Sequence, residues 1–569
     1  MSSYGKLDEY EQAKLEASRR TKKRIAIIAI SSIVLVCIVV GAVVGTRANG
    51  DGKKPPTESS GGSISVSVKA VCDVTLHKDT CLETLGSAPN ASRLNPEELF
   101  MYAVKITVTE LSTVLTGFSN GEHMDNATSA AMGACVELIG LAVDQLNETV
   151  TSIKEKTTSS LKITDDLRTW LSSVGTYQET CMEALVEANK PSLTAFGESH
   201  LKNSTEMTSN ALAIITWLGK IADSVKLRRR RLMSTGDVGY VDLAMMEGRR
   251  LLESGDLRKR ATIVVAQDGS GKYRTISEAL AEVEEKNEKP TIIYVKKGVY
   301  LENVRVEKKK WNVVMVGDGQ SKTIVSAGLN FIDGTPTFQT ATFAVFGKGF
   351  MARDMGFRNT AGPAKHQAVA LIASADLVVF YKCTIDAYQD TLYAHAQRQF
   401  YRDCVIFGTV DFIFGNAAVV FQNCEILPRR PMKGQQNTIT AQGRTDPNQN
   451  TGISIHNCSI LPLDNLTDIQ TFLGRPWKEF STTVIMKSFM DGFINPEGWL
   501  PWTGYTAPDT IFYAEHLNFG PGASTKNRVK WKGLKTFLTT KEANKFTVKP
   551  FIDGNNWLPA TKVPFKSDF

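Results

Sequence analysis

An all-β right-handed parallel β-helix, preceded by an all-α four-helix bundle and an N-terminal transmembrane helix, is the architecture this 569-residue sequence predicts. Three observations predict it. A short strand phrase ending in cysteine recurs at a period near 20 residues in the C-terminal half. Apolar residues at three- and four-residue spacing fill 65–226. An uncharged apolar run occupies 25–45.

Residues 1–24 form a cytosolic basic tail. The run "IAIIAISSIVLVCIVVGAVVG" (25–45) is long enough to cross a hydrocarbon core of about 30 Å. The "RRTKKR" before it holds the N-terminus in the cytosol and sends the rest outward as a signal-anchor. A cleaved signal peptide, cut near Ala48, is the alternative. Export has independent support. Six N-x-S/T sequons, at Asn90, Asn126, Asn147, Asn203, Asn457 and Asn465, and eight of the nine cysteines all lie downstream. The expected location is therefore the secretory-pathway membrane, with the mature product outside the cell. The net charge of +7 is mild, and no basic motif alternates with base-stacking aromatics, so nucleic acid is not an expected partner.

A Gly/Pro/Ser-rich linker (46–64) leads into the helical region. Stretches such as "NPEELFMYAVKITVTELSTVL" and "TDDLRTWLSSVGTYQETCMEALVEA" begin with good caps and contain few glycines or prolines. They predict four main helices behind a short hairpin that holds Cys72 and Cys81, which are near enough to pair. Cys135 and Cys181, on separate helices, are placed to staple the bundle. His77, His123 and His200 are scattered and suggest surface or capping roles rather than a metal site.

Between 227 and 260 the composition changes. "KLRRRRLMSTG" and "EGRRLLESG" read as a solvated linker. They also read as sites, at Arg231 and Arg250, for a subtilisin-like processing protease that cuts after basic residues in exposed backbone.

From Ala261 onward β-branched and aromatic residues dominate. "FYKCTI", "FYRDCVI", "FQNCEIL" and "IHNCSIL" are versions of one phrase, with cysteines at 383, 404, 424 and 458. The period predicts coils stacked about 4.8 Å apart. The longer last spacing is a looped-out coil or a coil lacking the cysteine. Stacking brings Cys404 and Cys424 within reach of a disulfide; an unbonded column of core thiols is the other reading. The same stacking sets Gln367, Asp390 and Asp411, separated by 23 and 21 residues, in one column on an outer sheet, with Gln389 beside Asp390. Two close acids cannot both ionise cheaply, so they divide into an acid and a base or nucleophile. Amides beside them can hold an oxyanion. Arg475 would keep one acid ionised, and Trp477 offers a platform for a sugar ring. Asn, Gln and Asp ladders can also be purely structural.

Residues 261–569 closely resemble the plant pectin methylesterases, carbohydrate esterases built on a right-handed β-helix. The resemblance rests on "DGSGKYRTISEAL", "GVYLENV", "VVMVGDGQSKTI", "FRNTAGPAKHQAVAL", "YQDTLYAHAQRQFYRDC", "GTVDFIFGNAAVVFQNC", "LGRPWKEFS", "PEGWLPW" and "GPGA", in order. Residues 65–226 resemble, less strongly, the pectin methylesterase inhibitor or pro-region family, whose two disulfides would here be Cys72–Cys81 and Cys135–Cys181.

The resemblance implies hydrolysis of pectin methyl esters without cofactor or metal. It assigns Asp411 as nucleophile, Asp390 as proton donor and later base, and Gln367 and Gln389 as the oxyanion site. Arg475, Trp477, Thr337, Tyr393 and Phe414 become substrate-binding residues, with His366 a bystander. It implies too that the bundle is a tethered partner that blocks the cleft or aids folding and export; an independent inhibitor of other wall enzymes is the alternative. One position departs from the family pattern: Ile372 follows "QAVAL" where arginine is usual, which puts the charge near the cleft in doubt. A pectin-active lyase or hydrolase on the same fold, or a catalytically silent pectin-binding protein, are the rival functions.

Overall fold

The computed structural model describes residues 65–119, 125–155, 163–230 and 257–569. The expected membrane segment, the linker after it and the processing sites Arg231 and Arg250 lie outside these residues.

Helices α1 (Val66–Cys72) and α2 (Lys78–Gly86) form the short hairpin, closed by the Cys72–Cys81 disulfide with Cα atoms 5.6 Å apart. Four long helices follow: α3 (Pro96–Ser119), α4 (Asn126–Glu155), α5 (Thr164–Glu187) and α6 (Pro191–Arg230). Each buries an apolar stripe, for example Leu167, Leu171, Val174, Cys181 and Leu185 of α5. Cys135–Cys181 joins α4 to α5 across 46 residues of sequence. Closing a loop of that length stabilises by about 4 kcal/mol in the chain-entropy account. The last helix runs to Arg230, so most of the first arginine run continues a helix that the sequence reading ended at 226.

The second region stacks three parallel sheets of 11, 7 and 8 strands, each adding one strand per coil. Inward side chains fill the core with like residues one coil apart. Phe380, Tyr401 and Phe421 stack at 5.0 and 4.7 Å between ring centres. The repeated phrase marks a corner. Its residue before the cysteine (Lys382, Asp403, Asn423, Asn457) lies at φ +51 to +57, a left-handed bend that Asn and Asp adopt most readily. The strand Ala418–Gln422 pairs directly with Gly452–His456, so the 34-residue spacing is a looped-out coil.

The Cys404–Cys424 disulfide is not formed. Cys383, Cys404, Cys424 and Cys458 are free and buried, and Cys458 Sγ accepts from the Cys424 backbone N–H at 3.3 Å. The corners turn all four thiols into the core, where they pack as small apolar groups. The six sequon asparagines are all exposed, and Asn457 Nδ2 donates to Asn423 Oδ1 at 2.8 Å.

Candidate active site

The seven-stranded sheet forms the floor. Its register sets Ile372 under Tyr393, and Tyr393 under Phe414 and Ala441. Leu392 pairs with Ile413 and the Asp390 N–H donates to Val410 O at 3.0 Å, so Asp390 lies one coil beneath Asp411. Gln367, however, pairs with Gln389 rather than Asp390. The predicted column is thus two adjacent pairs, amide on amide and acid on acid, because a one-residue slip separates the 367–389 and 390–411 steps.

Both acids have left-handed backbones, at φ +61 for Asp390 and +50 for Asp411. Such conformations persist only where the surroundings enforce them, and they concentrate at functional sites. Asp411 is clamped. Arg475 donates Nε to Oδ1 at 2.9 Å and Nη2 to Oδ2 at 2.6 Å. The Thr438 hydroxyl donates to Oδ1 at 2.6 Å and accepts from the Asp411 N–H at 2.8 Å. A bidentate guanidinium fixes both the charge and the direction of a carboxylate. Asp390 is the opposite case: burial first, then the Asp411 charge, push its carboxyl well above the usual carboxylate range, against the pull of Arg475. The site therefore treats its two acids differently, one gripped by a guanidinium and the other pushed toward its protonated form.

Aromatic side chains line the floor. Tyr393 and Phe414 stack at 4.0 Å, Trp477 lies 6.0 Å from Phe414, and Trp502 lies 6.2 Å further and 4.3 Å from the Arg475 guanidinium. Gly443 admits the indole, since a Cβ there would stand 2.9 Å from Trp477 Cε3. Ile372, fully buried, continues this apolar floor in place of a cation.

Helix α5 lies across it. Tyr393, Phe414, Ile372 and Trp477 join one apolar cluster with bundle residues such as Leu171, Val174 and Tyr177. The Thr180 hydroxyl meets His395 Nε2 at 2.9 Å, while His395 Nδ1 meets Ser374 Oγ at 2.9 Å. Burial lowers the His395 pKa to about 3, so the ring is neutral. Glu187 accepts from the Thr337 backbone N–H at 3.0 Å. Lys478 is held by Glu179 and Glu183, at 2.6 and 2.7 Å. With one cation for two acids, the more buried keeps its proton: burial pushes Glu183 up to about 8. Polar seam contacts continue outward with Arg398–Asp166 at 2.9 Å and Arg305–Glu137 at 2.5 Å.

Of the residues read from sequence, Asp390, Asp411, Arg475, Tyr393, Phe414 and Trp477 converge beneath α5. Gln367 and Gln389 stand half-buried as a pair beside them, and Thr337 faces the cleft through its backbone. Thr438, His395, Lys478 and Trp502 were missed. Lys478 and Trp502 fall within the quoted "LGRPWKEFS" and "PEGWLPW", but only their neighbours carried a signal. Among the described residues no three His, Cys, Asp or Glu side chains gather to hold a metal ion. The geometry suits transfer of an acyl group to a carboxylate with a proton donor alongside.

The pectinesterase family model matches residues 262–555, and that of the plant invertase/pectin methylesterase inhibitors matches 66–214. The chain is 87% identical to "Probable pectinesterase/pectinesterase inhibitor 46" of Arabidopsis thaliana, covering 100% of both chains. It is 69% identical to "Putative pectinesterase/pectinesterase inhibitor 24" of the same plant, over 100% of this chain and 99% of that one. A solved pectin methylesterase from carrot is 52% identical with a TM-score of 0.54, and covers 56% of this chain and 100% of its own. With its site geometry, two domain matches and full-length relatives in agreement, the chain belongs to the pectinesterase family, as a carboxylic ester hydrolase that carries an inhibitor-like bundle ahead of its β-helix.

Proposed function

We propose that Asp411 is the nucleophile and Asp390 the acid and base in hydrolysis of the C6 methyl esters of pectin, and that the bundle keeps this site closed until the basic linker is cut. The observation that carries the chemistry is the division of charge between stacked acids, one gripped by Arg475 and the other holding its proton. Asp411 attacks the ester carbonyl, and the oxyanion is held by the amides of Gln367 and Gln389. The carbon–methoxy bond then breaks, and Asp390 gives its proton to the departing methoxide, which leaves as methanol. Asp390, now a carboxylate, takes a proton from water as the water oxygen adds to the acyl-enzyme anhydride. Asp411 departs ionised, and the galacturonate unit is left as a free acid. Arg475 and Thr438 keep Asp411 ionised and aimed, while Tyr393, Phe414 and Trp477 support the sugar chain.

The test is methanol release from pectin by residues 257–569. Asp411→Ala should abolish it, by roughly 10⁴-fold or more, with circular dichroism unchanged. Retained activity would refute the assigned nucleophile. Chain scission in place of methanol would favour the lyase or hydrolase reading.

For the bundle, self-inhibition is supported by the position of α5 over the acids. Cleavage by a subtilisin-like protease predicts a wall species whose N-terminus lies near Leu251–Arg260; one that starts upstream of Arg228 would count against it. The anchor reading predicts that the uncut chain partitions with membranes and retains residues 25–45. An N-terminus near Ala48 would overturn it in favour of a cleaved signal peptide. Glycans at the six exposed sequon asparagines would appear as mass lost on enzymatic deglycosylation.

A further inference from the structure

Away from the cleft, a cavity of about 980 Å³ opens between the two regions. Three segments wall it: the first turns of α5, the looped-out coil 444–451 and the C-terminal stretch 544–553. One side is aromatic. Phe512 and Phe546 stack at 5.3 Å, Phe551 lies 5.6 Å from Phe546, and Phe480 joins them. Two guanidiniums meet on the other side, held to successive carbonyls. Arg168 of α5 donates Nη2 to Asn448 O at 3.1 Å, and Arg444 donates Nη2 to Pro447 O. A third arginine of the cavity, Arg398, is paired twice, with Asp376 at 2.6 Å and Asp166 at 2.9 Å. Arg168 and Arg444 fare differently. Arg168 reaches the exposed Asp165 at 3.9 Å, and its Nε is buried with no hydrogen-bond partner among the described residues. Arg444 spends its donors on the carbonyls of Asp446 and Pro447 and on the Thr482 hydroxyl. Asp446 itself gives its carboxylate to Ser209 Oγ of α6 at 2.6 Å and to the Asn448 N–H at 2.7 Å. Burial, then the Arg168 charge, pulls Arg444 down to about 10.

Two cations held together away from water call for a counter-charge. The other acids of the cavity do not supply it, since Asp553 is engaged by Asn556 at 2.8 Å and Asp568 is exposed. An idle Nε between two guanidiniums suits a carboxylate or another oxyanion. The aromatic wall narrows the class, because stacked rings offer a face to the apolar side of a sugar, and the volume suits more than one ring. We infer that this cavity binds a short acidic sugar, a uronate oligomer, with one carboxylate bridging Arg168 and Arg444. The bridge would join α5 to the β-helix. The coil between them is already where the bundle lands: Asn450 donates to Thr169 Oγ1 at 2.9 Å, and Gln449 to Ser172 O at 3.2 Å. A ligand that needs both arginines binds the closed chain better than the open one, and so favours closure. This regulatory consequence rests on the proposed closing of the cleft by the bundle. Uronate oligomers are what de-esterification followed by backbone cleavage leaves. Their arrival reports pectin that is already processed, and the uncut chain is held shut.

The test is calorimetric binding of trigalacturonate to the uncut chain; the probe carries no ester, so nothing turns over. Arg168→Gln should weaken binding at least about tenfold, the loss of one charge-assisted contact. Arg168→Lys, which keeps the charge and the packing of α5, should fall between variant and parent. Equal affinity in all three proteins overturns the inference. Trp477→Ala, in the cleft, should leave the affinity unchanged; a loss there matching that of Arg168→Gln would put the ligand in the cleft and overturn the site. Inorganic sulfate is the comparison probe. If it binds as tightly as trigalacturonate, the site takes any oxyanion and the sugar assignment falls. A second arm follows methanol release from pectin by the uncut chain, with trigalacturonate at about ten times its dissociation constant. Mass action predicts a rate about tenfold lower, a drop that Arg168→Gln should lose. Residues 257–569 have a core of their own, match the carrot chain along its whole length and lack Arg168, so they give the baseline for competition at the cleft. If trigalacturonate binds through Arg168 yet leaves the rate unchanged, the closure reading falls and the site stands. If it slows cut and uncut chains alike and Arg168→Gln binds it as the parent does, the site falls.

Discussion

The bundle and the β-helix use their charges differently. The β-helix pairs its buried ions internally: Asp411 with Arg475, Asp376 with Arg398, Glu515 with Arg528. The bundle's acids at the seam pair outward, Glu137 with Arg305, Asp166 with Arg398, and Glu179 and Glu183 with Lys478. Separation therefore leaves those internal pairs intact and strips Lys478 and the bundle's seam acids of their partners. One region is self-sufficient, and the other presents a face made for a surface that is not its own.

Pulling the two apart is the strongest way to break that comparison. An intact chain in which the closed state outweighs the open one 99 to 1 needs only about 2.7 kcal/mol of docking free energy. The seam, with its ion pairs and continuous apolar cluster, supplies more. Residues 257–569 should release methanol at least about 100-fold faster than the uncut chain at equal concentration. Equal rates would mean that α5 does not control access. Next in size is Glu183→Lys, which sets a second ammonium against Lys478 in a largely buried site. Breaking a buried pair in this way costs about 3–5 kcal/mol. The uncut variant should be at least about tenfold more active than the uncut parent, approaching the isolated segment. Glu183→Gln should leave the uncut chain closed at pH 6, because the amide imitates the protonated acid already present.

Acidity sharpens the comparison further, since the two regions contribute opposite signs. Glu183, on α5, faces Lys478, Glu179 and Glu187 and acts on Asp390; its pKa is 4.5 when free and about 8 when docked. The docked state binds the extra proton, so this contribution is full below pH 4.5 and is lost as pH rises through 8. His395, on the β-helix, faces Thr180, Tyr177, Ser374 and Tyr393, and goes from 6.5 when free to about 3 when docked. Its contribution is full above pH 6.5 and is lost as pH falls through 3. Between pH 4.5 and 6.5 these two proton changes cancel, so only the raised Asp390 and Glu187 make docking weaken with pH, and more gently than above that window. Above pH 6.5 it should weaken about tenfold per unit, a slope that Asp390 and Glu187, both raised by burial, can only steepen. Below pH 4.5 it should weaken again. Binding of separately made bundle to residues 257–569 across pH 3–9 reads this profile, and a monotonic curve would remove His395 from the seam.

How much of this was legible follows the same division. A coil repeats, so the "FYKCTI"-type phrases announced strands and the stacking of Asp390 under Asp411. The repeat could not resolve a one-residue slip, and Gln367 consequently sits on Gln389. Nor could it fix the direction of a cysteine, because a left-handed residue before it turns the thiol inward. The bundle's apolar period announced helices and the Cys135–Cys181 staple. It was silent on Glu179, Glu183 and Glu187, whose four-residue spacing looks like any solvated helix face. Their meaning lies in Lys478 and Thr337, some 300 and 150 residues away, and a pattern within one helix carries no trace of either.

Cysteine chemistry gives the smallest effect and the cleanest contrast. In the bundle, reduction opens Cys135–Cys181 and returns about 4 kcal/mol of chain entropy to the unfolded state. In the β-helix the four thiols are unlinked, so reductant has nothing to cut. Residues 257–569 should melt at the same temperature, within about 1 °C, with or without dithiothreitol. They should also yield four titratable thiols when denatured without reductant, where a Cys404–Cys424 bond would leave two. In the intact chain the same reagent should lower the bundle's melting temperature alone. A loss of the α-helical signal at a temperature where the β-helix still releases methanol would show that the two regions, joined across one cleft, owe their stability to different bonds.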